Sequence, residues 1–117
     1  MPALNYVQAL TANQLGFNPL SGWQFEYIPA AWGRGAVVSI LTNATTTGVR
    51  LTAFTGSQTV QQRSPVQGSG TAGLIPSENV VAPLTFMAAP GDRLILNYDE
   101  VAGGTPTVNG MIRVEPL

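Results

Sequence analysis

The sequence predicts an all-β fold, an antiparallel β-sandwich of jelly-roll type, on three observations. Short runs of alternating apolar and polar residues recur along the chain. Turn signals separate them, drawn from 13 Gly and 9 Pro in 117 residues. No stretch in the body of the chain sustains the spacing of an amphipathic helix. The length suits one domain.

Residues 1–20 read as an N-terminal arm, and 21–117 as the sandwich domain. In the arm, Leu4, Val7 and Leu10 stand at helix-like spacing, enough for one turn, before Asn13 to Pro19 breaks all regularity. An arm of this kind rests on a neighbour or on its own domain. Trp23, Phe25 and Tyr27 then alternate with Gln24 and Glu26, which predicts a strand with an aromatic face ending at Pro29. The run 36–41, AVVSIL, predicts a buried strand from its β-branched residues. A polar turn follows at Asn43 to Gly48. Val49, Leu51 and Ala53 predict the inner face of the next strand, with Arg50, Thr52 and Phe54 opposite.

Gln58 to Val66 is polar on both faces and contains Pro65, which places it at a sheet edge. Gln67 to Asn79 reads as a loop, and Val80 to Met87 as a strand with Pro83 near its start. Pro90-Gly91-Asp92 is a tight turn. Leu94, Leu96 and Tyr98 alternate with Arg93, Ile95 and Asn97, and Thr107 to Val114 is the last strand. The apolar faces of these strands nominate Val38, Ile40, Leu51, Phe86, Leu94, Leu96, Ile112 and Val114 as core.

The chemistry is defined by what is missing. The chain has no Cys, His or Lys. Disulfides, thiolate metal sites and the commonest general base are therefore excluded. No enzyme activity, metal or cofactor is expected, apart from oxygen-only Ca²⁺ binding through Asp92, Asp99 or Glu100, which no spacing supports. The five cations, Arg34, Arg50, Arg63, Arg93 and Arg113, are scattered rather than clustered, and the net charge is −1. Neither fits a nucleic-acid binder. No apolar run is long enough to cross a membrane as a helix. Residues 1–20 carry no cation and no unbroken apolar stretch, so no secretory signal is expected. Met1-Pro2 reads as a natural start, which predicts work inside the cell that makes the protein. Only 9% of residues are charged, so the surface is one that gains by burial against a partner.

Other patterns carry little. Gly68 to Gly73 matches the letters G-x-G-x-x-G, but the strand before it is polar and Pro76 would stop any helix after it. Asp99 and Glu100 are adjacent, so a strand points them to opposite faces, away from a shared substrate. Ser64 and Ser69 have no His or Lys to activate them. Trp23, Tyr27 and Trp32 are either core or a stacking platform for sugars. Asn43-Ala44-Thr45 has the form of a glycosylation sequon, taken as a chance match in a chain without a signal.

Several segments together resemble a known family. They are Arg50 to Ser57, Gln61 to Val66, Gly70 to Pro76, Pro90 to Leu94 and Gly104 to Gly110. In texture, over about two-thirds of the chain, they resemble the small cement or decoration proteins of tailed bacteriophage heads. The resemblance implies a β-sandwich on the outer capsid surface of the virion, made in the host cytoplasm, that clamps neighbouring major capsid subunits. It implies no catalytic residues. On that reading the partner-binding residues are Leu4, Tyr6, Val7 and Leu10 of the arm, Arg63 of the edge strand, and Gly70, Thr71 and Leu74 of the loop. The arm and loop would contact the major capsid protein. The Gln58 to Val66 edge would join a homodimer or trimer, with Arg63 bonding across it. The alternative is a carbohydrate- or receptor-binding module of a phage tail, using the Trp and Tyr face.

Overall fold

The computed structural model describes residues 3–56, 58–68, 70–73, 75 and 83–117. Among these residues the chain forms seven strands and no helix. They are β1 (Ala3–Ala9), β2 (Ala36–Ala44), β3 (Val49–Thr55), β4 (Gln58–Pro65), β5 (Leu84–Ala88), β6 (Leu94–Glu100) and β7 (Thr107–Pro116). One sheet has the order β1-β7-β2-β5 and the other β4-β3-β6, and every pairing is antiparallel. The two sheets pack face to face as a β-sandwich around one apolar core.

The pairing is nested. The hairpin β3·β4 lies innermost, and β2·β5 encloses it. Next, residues 14–28 run along the outer edge of β6. Phe17 bridges Tyr98, Tyr27 bridges Arg93, and the amides of Glu100 and Leu94 donate to the carbonyls of Gln14 and Glu26, both at 2.7 Å. The pair β1·β7 closes the nest. Pairings β2·β7 and β3·β6 then fold the long hairpin into two layers.

The alternation read in β3 and β6 is observed. Val49, Leu51 and Ala53, and Leu94, Leu96 and Tyr98, are buried, while the intervening residues are half-buried. Of the nominated core, Val38, Ile40, Leu51, Leu94, Leu96, Ile112 and Val114 are buried, and Phe86 packs half-buried against them. β4 is an edge strand with an exposed, polar face, as its composition predicts. The strand expected at Val80 to Met87 is observed as Leu84–Ala88, and residues 80–82 of that expectation lie outside the described residues.

Two expectations are corrected. Ala3–Ala9 is not a helical turn or a loose arm but a full strand, in seven-residue register with β7. The residues it turns inward are Leu4 and Tyr6, and Leu10 beyond its end is buried as well. The period of three seen in Leu4, Val7 and Leu10 gives way because β7 satisfies the backbone of every second residue, which a single helical turn cannot do. Nor does the chain change character at residue 20, since Leu20 is itself in the core. The second correction concerns Trp23 to Tyr27, which forms successive turns. The amides of Trp23 and Glu26 bond to the carbonyls three residues back. Its buried residue is Glu26, with Ile28 just beyond, while Trp23 packs half-buried against the core and Tyr27 is exposed.

A polar chain threads the core between the sheets. The Tyr6 hydroxyl on β1 bonds that of Tyr98 on β6 at 2.5 Å. Tyr98 donates to Thr42 Oγ1 at 2.8 Å, and Thr42 donates to the Asn109 carbonyl at 3.0 Å. Because Thr42 gives its proton to a carbonyl, it must accept from Tyr98, so Tyr98 must accept from Tyr6. Every hydroxyl is satisfied in one direction. The Tyr6 ring has room because its partner across the β1·β7 pair is Gly110, where a Cβ would fall inside the ring. Burial raises the pKa of both phenols, Tyr98 to about 12.

Three outcomes follow. Leu96→Ala should lower unfolding free energy by ~2–5 kcal/mol in urea titrations, the usual range for an emptied core site. A loss below about 0.5 kcal/mol would place Leu96 at the surface. Folded-state pKa values raised above the ordinary phenol value of 10.0 make the tyrosines stabilising below that pH. That contribution is lost as pH rises toward the folded value near 12. Ultraviolet titration should therefore show Tyr6 and Tyr98 ionising only together with unfolding. A reversible titration of all three tyrosines in the native state would refute the buried chain.

Candidate interaction surface

Four of the described carboxylates, Glu26, Asp92, Asp99 and Glu100, are turned to internal work. Glu26, in the turns over β6, accepts from Arg93 Nε on Oε2 at 2.7 Å and from the Gly22 amide on Oε1 at 3.1 Å. Arg93 Nη2 adds a contact at 2.7 Å and lies over the Tyr27 ring. The Arg93 bond, then the Gly22 amide, hold the Glu26 carboxyl below its ordinary range, and Glu26 raises Arg93 in return. Asp99 Oδ1 accepts from the Gly16 amide at 2.8 Å, and Oδ2 faces Arg63 Nε at 3.3 Å. Asp92 closes its turn by accepting from Thr55 Oγ1 and the Ala89 amide.

Glu100 is the most enclosed of these groups. Its Oε1 accepts from the amides of Asn13 at 3.0 Å and Gly103 at 2.7 Å, and its Oε2 from Ala102 at 3.1 Å. Asn13 meets it by adopting a left-handed backbone, φ 58°. The Asn13 amide first, and the Ala102, Gly103 and Gly104 amides after it, hold the Glu100 carboxyl below its ordinary range against the opposing effect of burial. The adjacent pair Asp99-Glu100 thus points to opposite faces, and both members tether residues 13–16 to β6.

An amide pair does similar work on the outer face of the four-stranded sheet. Asn109 Nδ2 donates to Asn43 Oδ1 at 3.0 Å and to the Thr71 carbonyl at 3.1 Å, while Asn109 Oδ1 accepts from the Gly73 amide at 2.9 Å. The Gly70 amide bonds the Ala44 carbonyl, and the Asn43 side chain lies where a Gly70 Cβ would stand. Residues 70–73 are therefore laid onto the sheet over two buried asparagines.

These contacts sort the residues that sequence reasoning assigned to partners. Tyr6 and Leu10 are core, and Leu4 packs against it, so the folded domain withholds them from a partner. Arg63 is exposed, and its Nε faces Asp99 Oδ2 of the same domain at 3.3 Å. Gly70 is closed in by Asn43 rather than free to settle on another surface. Val7, 48% exposed, and Thr71 remain accessible. Leu74 lies outside the described residues. Sequence reasoning missed Asn43, Asn109 and Glu100, whose roles arise only when distant segments meet. The one available signal was polar residues inside otherwise apolar strand patterns.

Of the aromatic residues, Phe25 stacks on Trp32 at 5.6 Å between centroids, and Trp23 meets Phe25 edge-on at 5.5 Å. Trp23 and Trp32 are half-buried, whereas Tyr27 is 56% exposed. A cleft of about 130 Å³ beside Thr42 and Gln61, and another of about 270 Å³ beside Thr55 and Asp92, are smaller than the ~300–1,000 Å³ of ordinary ligand sites. Among the described residues, the exposed large apolar side chains include Met87 at 71% and Leu15 at 69%. No family model, curated protein or solved structure matches the chain.

Carboxyls held below their ordinary range stabilise the fold above the unfolded-state value near 4.5, and the contribution is lost as pH falls through the lower folded value. Melting temperature should be flat from neutral pH down to about 5 and then fall. Glu100→Gln, which turns an amide donor toward backbone donors, should melt lower at neutral pH and show a shallower acid decline. An identical acid decline in the variant would remove Glu100 from the account.

Proposed function

We propose that the chain is a structural virion protein that decorates and stabilises a bacteriophage capsid by clamping neighbouring major capsid subunits. The reading assigns it to the outer capsid surface. It takes the nested pairing of the strands as a jelly roll whose second strand is replaced by the irregular segment 14–28. The observation that carries the reading is where the polar chemistry goes. Glu26, Asp92, Asp99 and Glu100 all hold this chain's own segments in place. Among the described residues, what remains outside is mostly uncharged polar and apolar surface with few charges, among them Arg34 and Glu115, the kind that gains from burial rather than from reacting with a substrate.

A scaffold latched in this way suits a load-bearing role. Cement must hold its shape while its partners pull, and each latch ties an irregular segment to a strand. The missing His, Cys and Lys, together with satisfied carboxylates, support a protein that catalyses no reaction. The rival assignment, a sugar-binding tail module, needs open ring faces. Here Phe25 and Trp32 cover each other, and Arg93 sits over Tyr27.

Copy number tests the assignment. Purified particles resolved on a denaturing gel should carry this chain at a stoichiometry comparable with the major capsid protein, and isolated protein should rebind stripped shells. A handful of copies per particle, or absence from particles, would contradict it.

A further inference from the structure

A sandwich of two open sheets has four edges, and this chain protects three of them. The outer edge of β6 is bonded by residues 14–28. The β4 edge carries Arg63, ends in Pro65 and is bent by two register shifts against β3. The β5 edge is only five residues long and lies between Pro83 and Pro90. Charges, prolines, bulges and shortness are the devices that keep strand edges from pairing with other chains. β1 has none of them. It spans seven residues without charge, Pro or Gly, pairs with β7 without a shift, and ends the order of its sheet.

The hydrogen-bonding direction of each β1 residue follows from the ladder. The Leu10 amide donates to the Pro106 carbonyl, and the Thr45 amide to that of Thr107. With the registers of β1·β7 and β7·β2, the even-numbered residues of β1 bond toward β7. The amides and carbonyls of Ala3, Asn5, Val7 and Ala9 therefore point away from the molecule. Among the described residues only the Ala9 carbonyl has a partner there, the Gln8 side chain at 3.0 Å.

We propose that two copies of this chain pair antiparallel through β1 and join their four-stranded sheets into one eight-stranded sheet. The twofold axis lies at Tyr6, which sets Asn5 against the partner's Val7 and Ala3 against the partner's Ala9. This register uses every outward backbone group. It opposes no like charges, because β1 has no charge, and a second copy brings a strand of equal length and extended shape. The Tyr6 ring is turned into the core, so nothing bulky stands at the axis. Val7, exposed in the monomer, is covered by the partner's Asn5. An edge of seven residues is about 23 Å long and buries less than the ~1,600 Å² of a standard interface. Association is therefore expected in the micromolar range.

Sedimentation velocity on the full chain over a concentration series should show a reversible monomer–dimer equilibrium. Hydrogen exchange read at single amides should show Asn5 and Val7 protected at high concentration and open on dilution. Asn5→Pro removes an outward amide, and Val7→Lys sets charge near the axis. Each should raise the dimer Kd at least tenfold with melting temperature nearly unchanged, whereas Gln61→Lys on the β4 edge should leave it unaltered. A wild-type chain monomeric at millimolar concentration would overturn the proposal, as would a dimer insensitive to both β1 variants or one lost through Gln61→Lys. Protection of Asn5 and Val7 that appears only when isolated capsid shells are added would assign the edge to a different partner and equally refute self-pairing. None of these outcomes depends on whether the protein decorates capsids.

Discussion

The hydrogen-bonded chain from Tyr6 through Tyr98 and Thr42 to the Asn109 carbonyl is the constraint on which the other features depend. It joins β1, β6, β2 and β7, and so crosses between the two sheets where apolar contact alone would let them slide. Buried hydroxyls cost free energy unless each finds a partner, and here the partners exist in a single register only. Shifting β1 by one residue would turn Tyr6 to solvent and leave Tyr98 without its donor. Gly110 is part of the same device, because a side chain there would occupy the space of the Tyr6 ring. The segment that reads in sequence as an N-terminal arm is therefore one side of the core.

The remaining polar groups repeat this logic at the margins. A jelly roll would place a regular strand along β6, but this chain places residues 14–28 there, and irregular backbone needs separate partners for its amides. Glu100 supplies them for Asn13 and the 102–103 turn, Asp99 for Gly16, and Glu26 for Gly22. Asn109 does the same for residues 71–73 on the opposite face. A chain with so few charges, and with most of its acids turned inward, presents a surface suited to contact. The same reasoning links fold to proposed role, since irregular segments latched to strands, as residues 13–16 and 71–73 are, transmit load without yielding.

The architecture was legible where period and burial coincide. β3 and β6 alternate strictly, and their inward residues could be named from sequence because one face of each strand meets the core and the other does not. β4 was legible as an edge because Pro65 and its polar faces have no place in a sheet centre. β1 was not, because Leu4, Val7 and Leu10 suggest a helical period, while the inward choice of Tyr6 depends on Gly110, more than a hundred positions away. Trp23 to Tyr27 misled in the opposite sense. Its alternation is real, but Gly22 and Pro29 confine it to turns, and the aromatic rings pack on one another while Glu26 turns inward to Arg93. Asn109 and Glu100 were illegible as latches because their partners are backbone groups of loops, which leave no trace in residue type, and Asn43 because its partner is the Asn109 side chain on another strand.

A double-mutant cycle on Tyr6→Phe and Tyr98→Phe, read by urea unfolding, tests the account most directly. The direction of the chain predicts unequal single effects. Tyr98→Phe should cost more, since it strands the Tyr6 donor and leaves Thr42 without its phenol partner, whereas Tyr6→Phe leaves the Tyr98 to Thr42 bond intact. The coupling energy should be about 0.5–1.5 kcal/mol, the net worth of a buried hydrogen bond. Additive effects of equal size, with coupling under about 0.3 kcal/mol, would show that β1 is not tied to the opposite sheet through this chain and would contradict the account.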